Sequence, residues 1–217
     1  HATFMPKPKS GVSGSGMHIN MSLRKDGRNI FADETDKFGL SQDAYYFIGG
    51  LMKHVYSMTA ITNPLVNSYK RLVSGFEAPL HITWSVTNRS PLIRIPSSFG
   101  SGTRIELRSP DSAANPYLTI ALCLAAGLDG IKNKITPPEN IQKNIFHMTE
   151  EEKEQLHIKS LPTNLYDAVC AMEKDAFIRE VLGEHISNVY IGSKKDEWNR
   201  YCRAVTEWEV DTYLDKF

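Results

Sequence analysis

The sequence predicts an α+β protein whose first part is rich in β-structure and whose second part is mainly helical. Short segments of alternating apolar and polar residues, divided by turn signals such as Lys25-Asp26-Gly27 and Asn63-Pro64, fill roughly residues 1–110. Apolar residues then recur at helical spacing over most of 111–217. A hydrophobic content of 41% in 217 residues is ample for a buried core.

Several stretches have the pattern of framework helices. The first, Ser41 to Thr59, follows a Ser-x-Asp start and keeps its apolar residues on one face. Thr149-Glu150-Glu151-Glu152 resembles a capping box that would begin a later helix. The other predicted helices cover 113–131, 163–182 and 196–214.

A glycine-rich turn near the start leads directly into a predicted strand. Glycines at positions 11, 14 and 16 allow backbone N–H groups to approach a ligand. The strand that follows alternates between a polar face (His18, Asn20, Ser22) and an apolar face (Met17, Ile19, Met21, Leu23). The polar row indicates a binding site, although a strand with one solvated face has the same pattern.

A second segment repeats this alternation with charges. Arg104, Glu106 and Arg108 share one face, opposite two apolar residues. By itself, such a row is also typical of a cross-paired, solvent-facing surface. The chain has five arginines from Arg71 to Arg108, however, and guanidinium groups bind phosphate and carboxylate through paired N–H donors. Their clustering favours an anionic ligand.

The composition favours a small anion over nucleic acid. Lys plus Arg and Asp plus Glu each number 25, so the basic footprint of a nucleic-acid-binding protein is missing. The longest apolar run, around Ile120 to Leu128, is too short to span a bilayer, and no signal-like start is present. Three scattered cysteines indicate neither a disulfide framework nor a cysteine-based metal site. We therefore expect a cytoplasmic protein with no nucleic-acid or membrane partner.

Several motifs, taken in order, resemble type I glutamine synthetase, the glutamate–ammonia ligase. Lys7-Pro8, then Gly14-Ser15-Gly16-Met17-His18, then Ser22 four residues after the histidine, is similar to the ATP-binding signature of that family. The segments 67–72, 75–79, 88–96, 104–108 and 113–117 also follow the family's order and spacing. The resemblance covers essentially the whole chain. It implies that the fold is part of a curved antiparallel sheet, an active-site half-barrel backed by helices.

The resemblance also implies a reaction in two steps. Glutamate takes the γ-phosphoryl group of ATP, and ammonia then displaces phosphate to form glutamine. His18 and Glu106 match metal ligands of the family, and imidazole and carboxylate groups suit Mg²⁺ or Mn²⁺ beside phosphate oxygens. Arg89 and Arg94 match catalytic groups that neutralise charge on the phosphates.

The remaining matched residues concern the substrates. Glu77 matches a catalytic flap glutamate that takes a proton from ammonium, on a loop bracketed by Gly75 and Pro79. Without the resemblance, Glu77 would be interpreted as an exposed loop carboxylate. The residues that match glutamate binders are Gly14, Arg71, Arg89 and Arg108, and those that match nucleotide binders are Asn20, Ser22, Arg89, Arg94 and Arg104.

A few positions depart from the family pattern or from one of its branches. Ser13 and Asn20 stand where many members have Asn and His, so nucleotide contacts there can differ in detail. Phe146, which has no hydroxyl group, stands where the branch controlled by adenylylation has a modifiable tyrosine. The chain is more similar to the short bacterial branch that glutamine inhibits. In that branch, a glutamate that matches Glu197 has a role in the feedback response.

Family members also have an N-terminal β-grasp domain and further metal-binding carboxylates, which have no counterpart in this sequence. We therefore expect a C-terminal portion of the catalytic domain, weakly active or inactive by itself, from a family that assembles as a dodecamer. Two alternatives stay open. One is a related ligase that joins glutamate to an amine other than ammonia. The other is a non-catalytic part that docks with sister subunits or a nitrogen-responsive regulator through Trp208, Tyr213, Leu214 and Phe217.

Overall fold

The computed structural model describes residues 1–86, 88, 90–143 and 145–217 of the chain. Within them, the helices are α1 (Gln42–Thr62), α2 (Val66–Arg71), α3 (Pro116–Asn133), α4 (Glu150–Gln155), α5 (Leu165–Lys174), α6 (Ala176–Leu182), α7 (Glu184–Arg203) and α8 (Glu207–Tyr213). The strands are β1 (Ile19–Met21), β2 (Arg24–Lys25), β3 (Arg28–Asn29), β4 (Trp84–Ser85), β5 (Ile93–Arg94) and β6 (Ile105–Leu107). The predicted α+β fold class is confirmed.

Four of the strands form one sheet in the order β1-β6-β5-β4. The pairs β1/β6 and β6/β5 are antiparallel, and β5/β4 is parallel. Asn20 lies opposite Glu106, and Glu106 lies opposite Arg94 on its other side. Because residues directly opposite one another share a face of the sheet, these three polar side chains form a row across it.

The opposite face of this sheet packs on the helices. Ile93, Ile105 and Leu107 are completely buried and belong to the same core as Phe47 and Ile48 of α1. The alternation predicted for the first strand is confirmed, since the residues of its polar face are exposed and those of its apolar face are half-buried. With its apolar side chains in the core, the sheet presents its polar row away from the helices.

Three local sequence signals are confirmed. Asp26 and Gly27 have φ angles of 51° and 77° in the turn between β2 and β3, as a type I′ hairpin requires. Ser41 caps α1 through its side-chain oxygen. Thr149 and Glu152 form the predicted capping box of α4. Such signals depend on near neighbours in the chain, which is why the sequence displays them.

Two predicted helices differ from the observed ones. The stretch 163–182 is two helices, because Asp175 ends α5 and its carboxylate caps α6. The helix predicted over 196–214 is wrong: α7 begins at Glu184, directly after Gly183 with a φ of 79°, and a break separates it from α8. Because α7 buries little apolar surface, apolar periodicity does not mark its beginning. No helix among the described residues is long and apolar enough to cross a membrane.

The helices α1 and α3 cross at close range. A Cβ atom added to Gly130 would lie 2.0 Å from the Tyr46 carbonyl oxygen and 2.7 Å from the Gly50 nitrogen. A Cβ on Gly50 would in turn lie 2.0 Å from the Ala126 carbonyl oxygen. The two backbones therefore touch, and only glycine allows this approach.

We expect Gly130→Ala to destabilise the 217-residue chain, because the added methyl group meets backbone atoms that cannot move independently. The expected loss in the free energy of unfolding is about 2 kcal/mol or more, measured by urea denaturation. Gly192→Ala in α7 is the matched control, since a Cβ there meets nothing within 4 Å. It should stabilise the chain by about 0.5–1 kcal/mol. Equal stability of the two variants would contradict the close crossing.

Candidate active site

One cleft of about 400 Å³ brings together five of the residues singled out from the sequence. These five residues are Gly14, His18, Arg71, Glu77 and Arg108. The wall is completed by Ser13, Gly16, Phe76 and Ala78. The lining therefore comes from the glycine-rich turn, the start of β1, the end of α2, the segment after β6 and the loop 74–78, which we call the flap.

The glycine-rich turn approaches the cleft closely because glycines stand where it meets Arg71. A Cβ on Gly14 would lie 2.4 Å from the Pro6 carbonyl oxygen, and one on Gly16 would lie 2.6 Å from Arg71 Nη2. The turn is held in place by a hydrogen bond from the Ser15 amide to the Pro6 carbonyl at 2.8 Å. Larger residues at these positions would push the turn away from the guanidinium group.

Glu106 on the central strand β6 is the meeting point of the charged side chains. Its Oε1 lies 3.2 Å from His18 Nδ1, and its Oε2 lies 3.1 Å from Arg94 Nε and 4.0 Å from Arg108 Nε. Glu106 is 7% exposed and Arg108 is 4% exposed. A purely solvent-facing charged row is therefore wrong for this segment, since two of its three charged residues are buried.

His18 and Glu106 have the donor chemistry of a metal site. Burial, and next the positive charge of Arg108, lower the pKa of His18, which keeps its imidazole neutral as a metal ligand requires. Glu106 Oε2 is buried and accepts no well-aligned hydrogen bond from any described residue. The residues therefore fit a divalent cation. The described part of the chain has no cluster of three or more His, Cys, Asp or Glu side chains that could hold one, so two protein ligands are what it offers here.

Arg71 is buried in the wall of the cleft and is 3% exposed. Its Nη1 donates to the Ser109 carbonyl at 2.7 Å and its Nη2 to the Arg108 carbonyl at 3.2 Å. Burial lowers the pKa of Arg71, whereas the nearby Asp111 carboxylate favours its charged form. Arg71 thus ties the end of α2 to the chain that follows β6, and it brings positive charge to the cleft.

A buried polar network lies behind Arg71, and sequence reasoning missed it. Asn63 Nδ2 donates to the Ser109 carbonyl at 2.9 Å and to Asp111 Oδ2 at 3.1 Å. Asp111 Oδ1 accepts from the Ala113 amide at 3.0 Å, and burial raises the pKa of Asp111. Asn63-Pro64 and Ser109-Pro110-Asp111 had the pattern of ordinary turns. Nothing in either motif indicated that the two turns meet.

The flap is exposed where it carries the predicted base. Glu77 is exposed, and Gly75 has a φ of 90°, a conformation that glycine adopts without strain. The Phe76 ring is half-buried, with the ammonium group of Lys7 3.7 Å from its centroid. The Glu77 carboxylate is therefore accessible at the cleft, between the Gly75 turn and the buried Ala78.

The residues predicted to bind nucleotide are grouped differently. Arg104 Nε donates to Asn20 Oδ1 at 3.1 Å. Arg94 lies on the same face of the sheet, and Glu106 stands between Asn20 and Arg94. Ser22 lines, with Asn20, a separate hollow of about 320 Å³ between β1 and α3. None of these four residues lines the cleft that holds His18 and Arg108.

The last two predicted residues are Arg89 and Glu197. Arg89 lies outside the described residues. Glu197 of α7 accepts a hydrogen bond from the Val66 amide at 3.2 Å and pairs with Lys194 at 2.8 Å. It therefore contacts the first residue of α2, whose last residue is Arg71.

Comparison with known proteins places this arrangement in a family. The chain is 54% identical over 217 residues to a glutamine synthetase from Clostridium saccharobutylicum, covering 100% of this chain and 49% of that protein. It is 56% identical over 214 residues to a glutamine synthetase from Methanosarcina mazei, covering 99% of this chain and 48% of that protein. The chain thus spans about half the length of the curated relatives it matches.

Solved structures agree with the sequence comparison. A structure described as a GmaS/ADP complex superposes with a TM-score of 0.87 and 41% identity, covering 98% of this chain and 49% of that one. A structure of GmaS without ligand superposes with a TM-score of 0.85, also at 41% identity, covering 98% of this chain and 48% of that one. The family model for the glutamine synthetase catalytic domain matches residues 1–213. The chain therefore belongs to the glutamine synthetase family and carries sequence of its catalytic domain.

Proposed function

We propose that this chain takes part in the ATP-dependent synthesis of glutamine from glutamate and ammonia. The observation that carries the proposal is the single cleft in which Glu77, His18 and Arg108 meet. A guanidinium group suits an acidic substrate, and a carboxylate on a hinged loop suits removal of a proton from an amine. The high identity to two glutamine synthetases supports the same reaction.

The two arginines of the cleft have different roles in this proposal. Arg108 is the direct partner of a glutamate carboxylate. Arg71 has its Nη1 and Nη2 donors directed to the Ser109 and Arg108 carbonyls, so it positions Arg108 and adds positive charge to the cavity. Gly14 lets the backbone of the glycine-rich turn approach the same substrate.

ATP is proposed to bind along the polar row of the sheet. Arg94 and Arg104 supply positive charge for the phosphates, with Asn20 and Ser22 as polar contacts and Arg89 as a further cation. The ADP complex of GmaS supports a nucleotide site in this fold. Held by His18 and Glu106, Mg²⁺ or Mn²⁺ would neutralise negative charge on the phosphate oxygens.

Glu77 is the proposed general base. Ammonium has no lone pair, so it must lose a proton before its nitrogen can attack an activated glutamate. The exposed carboxylate of Glu77 can take that proton as the flap closes, and closure would also exclude water from the cleft.

Assembly and regulation extend the proposal. Trp208, Leu214 and Phe217 are 64%, 73% and 101% exposed, and large exposed apolar groups favour docking to sister subunits. We expect a cytoplasmic homo-oligomer, a dodecamer in the full-length family, with a nitrogen-responsive regulator as a further partner. Glu197 is the proposed regulatory residue, because it contacts the helix that ends at Arg71.

The first test is the formation of γ-glutamyl hydroxamate from glutamate, ATP and hydroxylamine with Mg²⁺ or Mn²⁺. We expect little product from the isolated chain, because its described residues offer two protein ligands, His18 and Glu106, for the metal. A chimera in which this chain replaces the matching segment of the Methanosarcina mazei relative should form the product. Full activity of the isolated chain would contradict the incomplete metal site. A folded but inactive chimera, with the parent relative active, would overturn the proposed function. Faster reaction with methylamine than with ammonium would favour the related amine ligase.

In that chimera, Glu77→Gln should lower kcat about 10²- to 10⁴-fold, because the amide cannot take a proton from ammonium. The measurement is the steady-state rate with ammonium at saturating glutamate and ATP. Glu154→Gln, an exposed residue of α4, is the matched control and should leave the rate unchanged. A rate that Glu77→Gln does not alter would exclude Glu77 as the base.

Removal of either metal donor should weaken Mn²⁺ binding. His18→Ala and Glu106→Gln are each expected to raise the Kd of the chimera for Mn²⁺ at least about tenfold, measured from the electron paramagnetic resonance of the free ion. His185→Ala changes an exposed histidine of α7 and is the control. Unchanged affinity in both test variants would place the metal elsewhere.

A further inference from the structure

We propose that Lys7 is a positioning residue, which fastens the flap to the glycine-rich turn and so holds Glu77 at the cleft. The inference rests on the proposed function for its kinetic consequence but not for the contact itself. Lys7 belongs to the Lys-Pro motif that begins the signature in the sequence, and none of the steps described above uses its side chain.

The backbone of Lys7 is held by the side chain of Asn67. Its amide donates to Asn67 Oδ1 at 2.8 Å, and its carbonyl accepts from Asn67 Nδ2 at 3.0 Å. Asn67 lies on α2, the helix that ends at the buried Arg71. The preceding Pro6 is buried, and its carbonyl accepts the Ser15 amide. The Lys7 side chain therefore begins from a rigid base beside the cleft.

The side chain of Lys7 joins two loops that face each other across the cleft. Its Nζ donates to the Val12 carbonyl in the glycine-rich turn. The same Nζ lies 3.7 Å from the centroid of the Phe76 ring in the flap, within the range of a cation–π contact. Ser13 and Gly14 follow Val12, and Glu77 follows Phe76, and all three line the cleft.

Through these two contacts, Lys7 links the flap to the glycine-rich turn, and a substitution can remove the link without changing the cleft lining. Lys7 does not line the cleft, so it acts on Glu77 through Phe76. Both loops are exposed around the contact, and Gly75 provides a hinge with a φ of 90°. Without the ammonium group, the flap should spend less time against the turn. The strength of a cation–π contact at a partly exposed site corresponds to an increase of about two- to fivefold in the open flap.

Proteolysis of the native 217-residue chain tests the contact without any need for activity. Chymotrypsin cuts after phenylalanine, and its rate at Phe76 should follow the population of the open flap. We expect Lys7→Met to raise that rate about two- to fivefold. Lys7→Arg keeps a cation over the ring and should restore the original rate. Lys9→Met changes a neighbouring exposed lysine and is the matched control.

A kinetic measurement in the chimera tests the consequence for Glu77. Lys7→Met should lower kcat with ammonium about two- to fivefold and leave the KM for ATP unchanged, and Lys7→Arg should recover the rate. Phe76→Leu should reproduce the loss, and the double variant should lose no more than either single variant.

Three outcomes would bear on the proposal. Unchanged cleavage at Phe76 in Lys7→Met, or the same increase in Lys9→Met, would contradict the proposed link between Lys7 and the flap. Additive losses in the double variant would contradict its action through Phe76. If Lys7→Met increases cleavage but the chimera lacks all activity, the contact between Lys7 and the flap is supported and the proposed function is contradicted.

Discussion

The buried carboxylate of Glu106 is the interaction on which the rest of the site depends. Moving a carboxylate out of water costs several kcal/mol, and only nearby cations and hydrogen-bond donors offset that cost. Here His18, Arg94 and Arg108 surround it at 3.1–4.0 Å. Because β6 lies between β1 and β5, the carboxylate is attached to the interior of the sheet. The position of the imidazole and of both guanidinium groups around it is therefore set by the fold.

A second set of buried polar groups fixes Arg71 in the wall of the cleft. Arg71 donates to the carbonyls of Arg108 and Ser109, the two residues that directly follow β6. Asn63 donates to the Ser109 carbonyl and to Asp111. Buried hydrogen-bonded networks of this kind rigidify a structure, because each unmade hydrogen bond would leave a polar group without water. The glycine-rich turn then packs directly on Arg71.

The site thus combines a buried part with an exposed one. The charged groups around Glu106 lie on the sheet and on buried segments, which suits the fixed electrostatic stabilisation of a phosphoryl group. Glu77 lies on an exposed loop with a glycine hinge, which suits a base that must admit a substrate and then close over it. Lys7 connects the two parts, since its backbone binds α2 and its side chain contacts the flap.

The sequence by itself determined the local features, which depend on residues that are close together in the chain. The alternation of the first strand, the Asp26-Gly27 turn and the caps of α1 and α4 all follow from residues a few positions apart, and each family motif is a short run of neighbouring residues. The tertiary structure decided which polar residues are buried and what they contact. His18 and Glu106 are 88 positions apart, Arg71 and Ser109 are 38, and Lys7 and Asn67 are 60. No periodicity in the chain encodes such distant pairs. They form only when the core brings the sheet, α2 and the loops together, and burial then converts exposed charges into fixed partners.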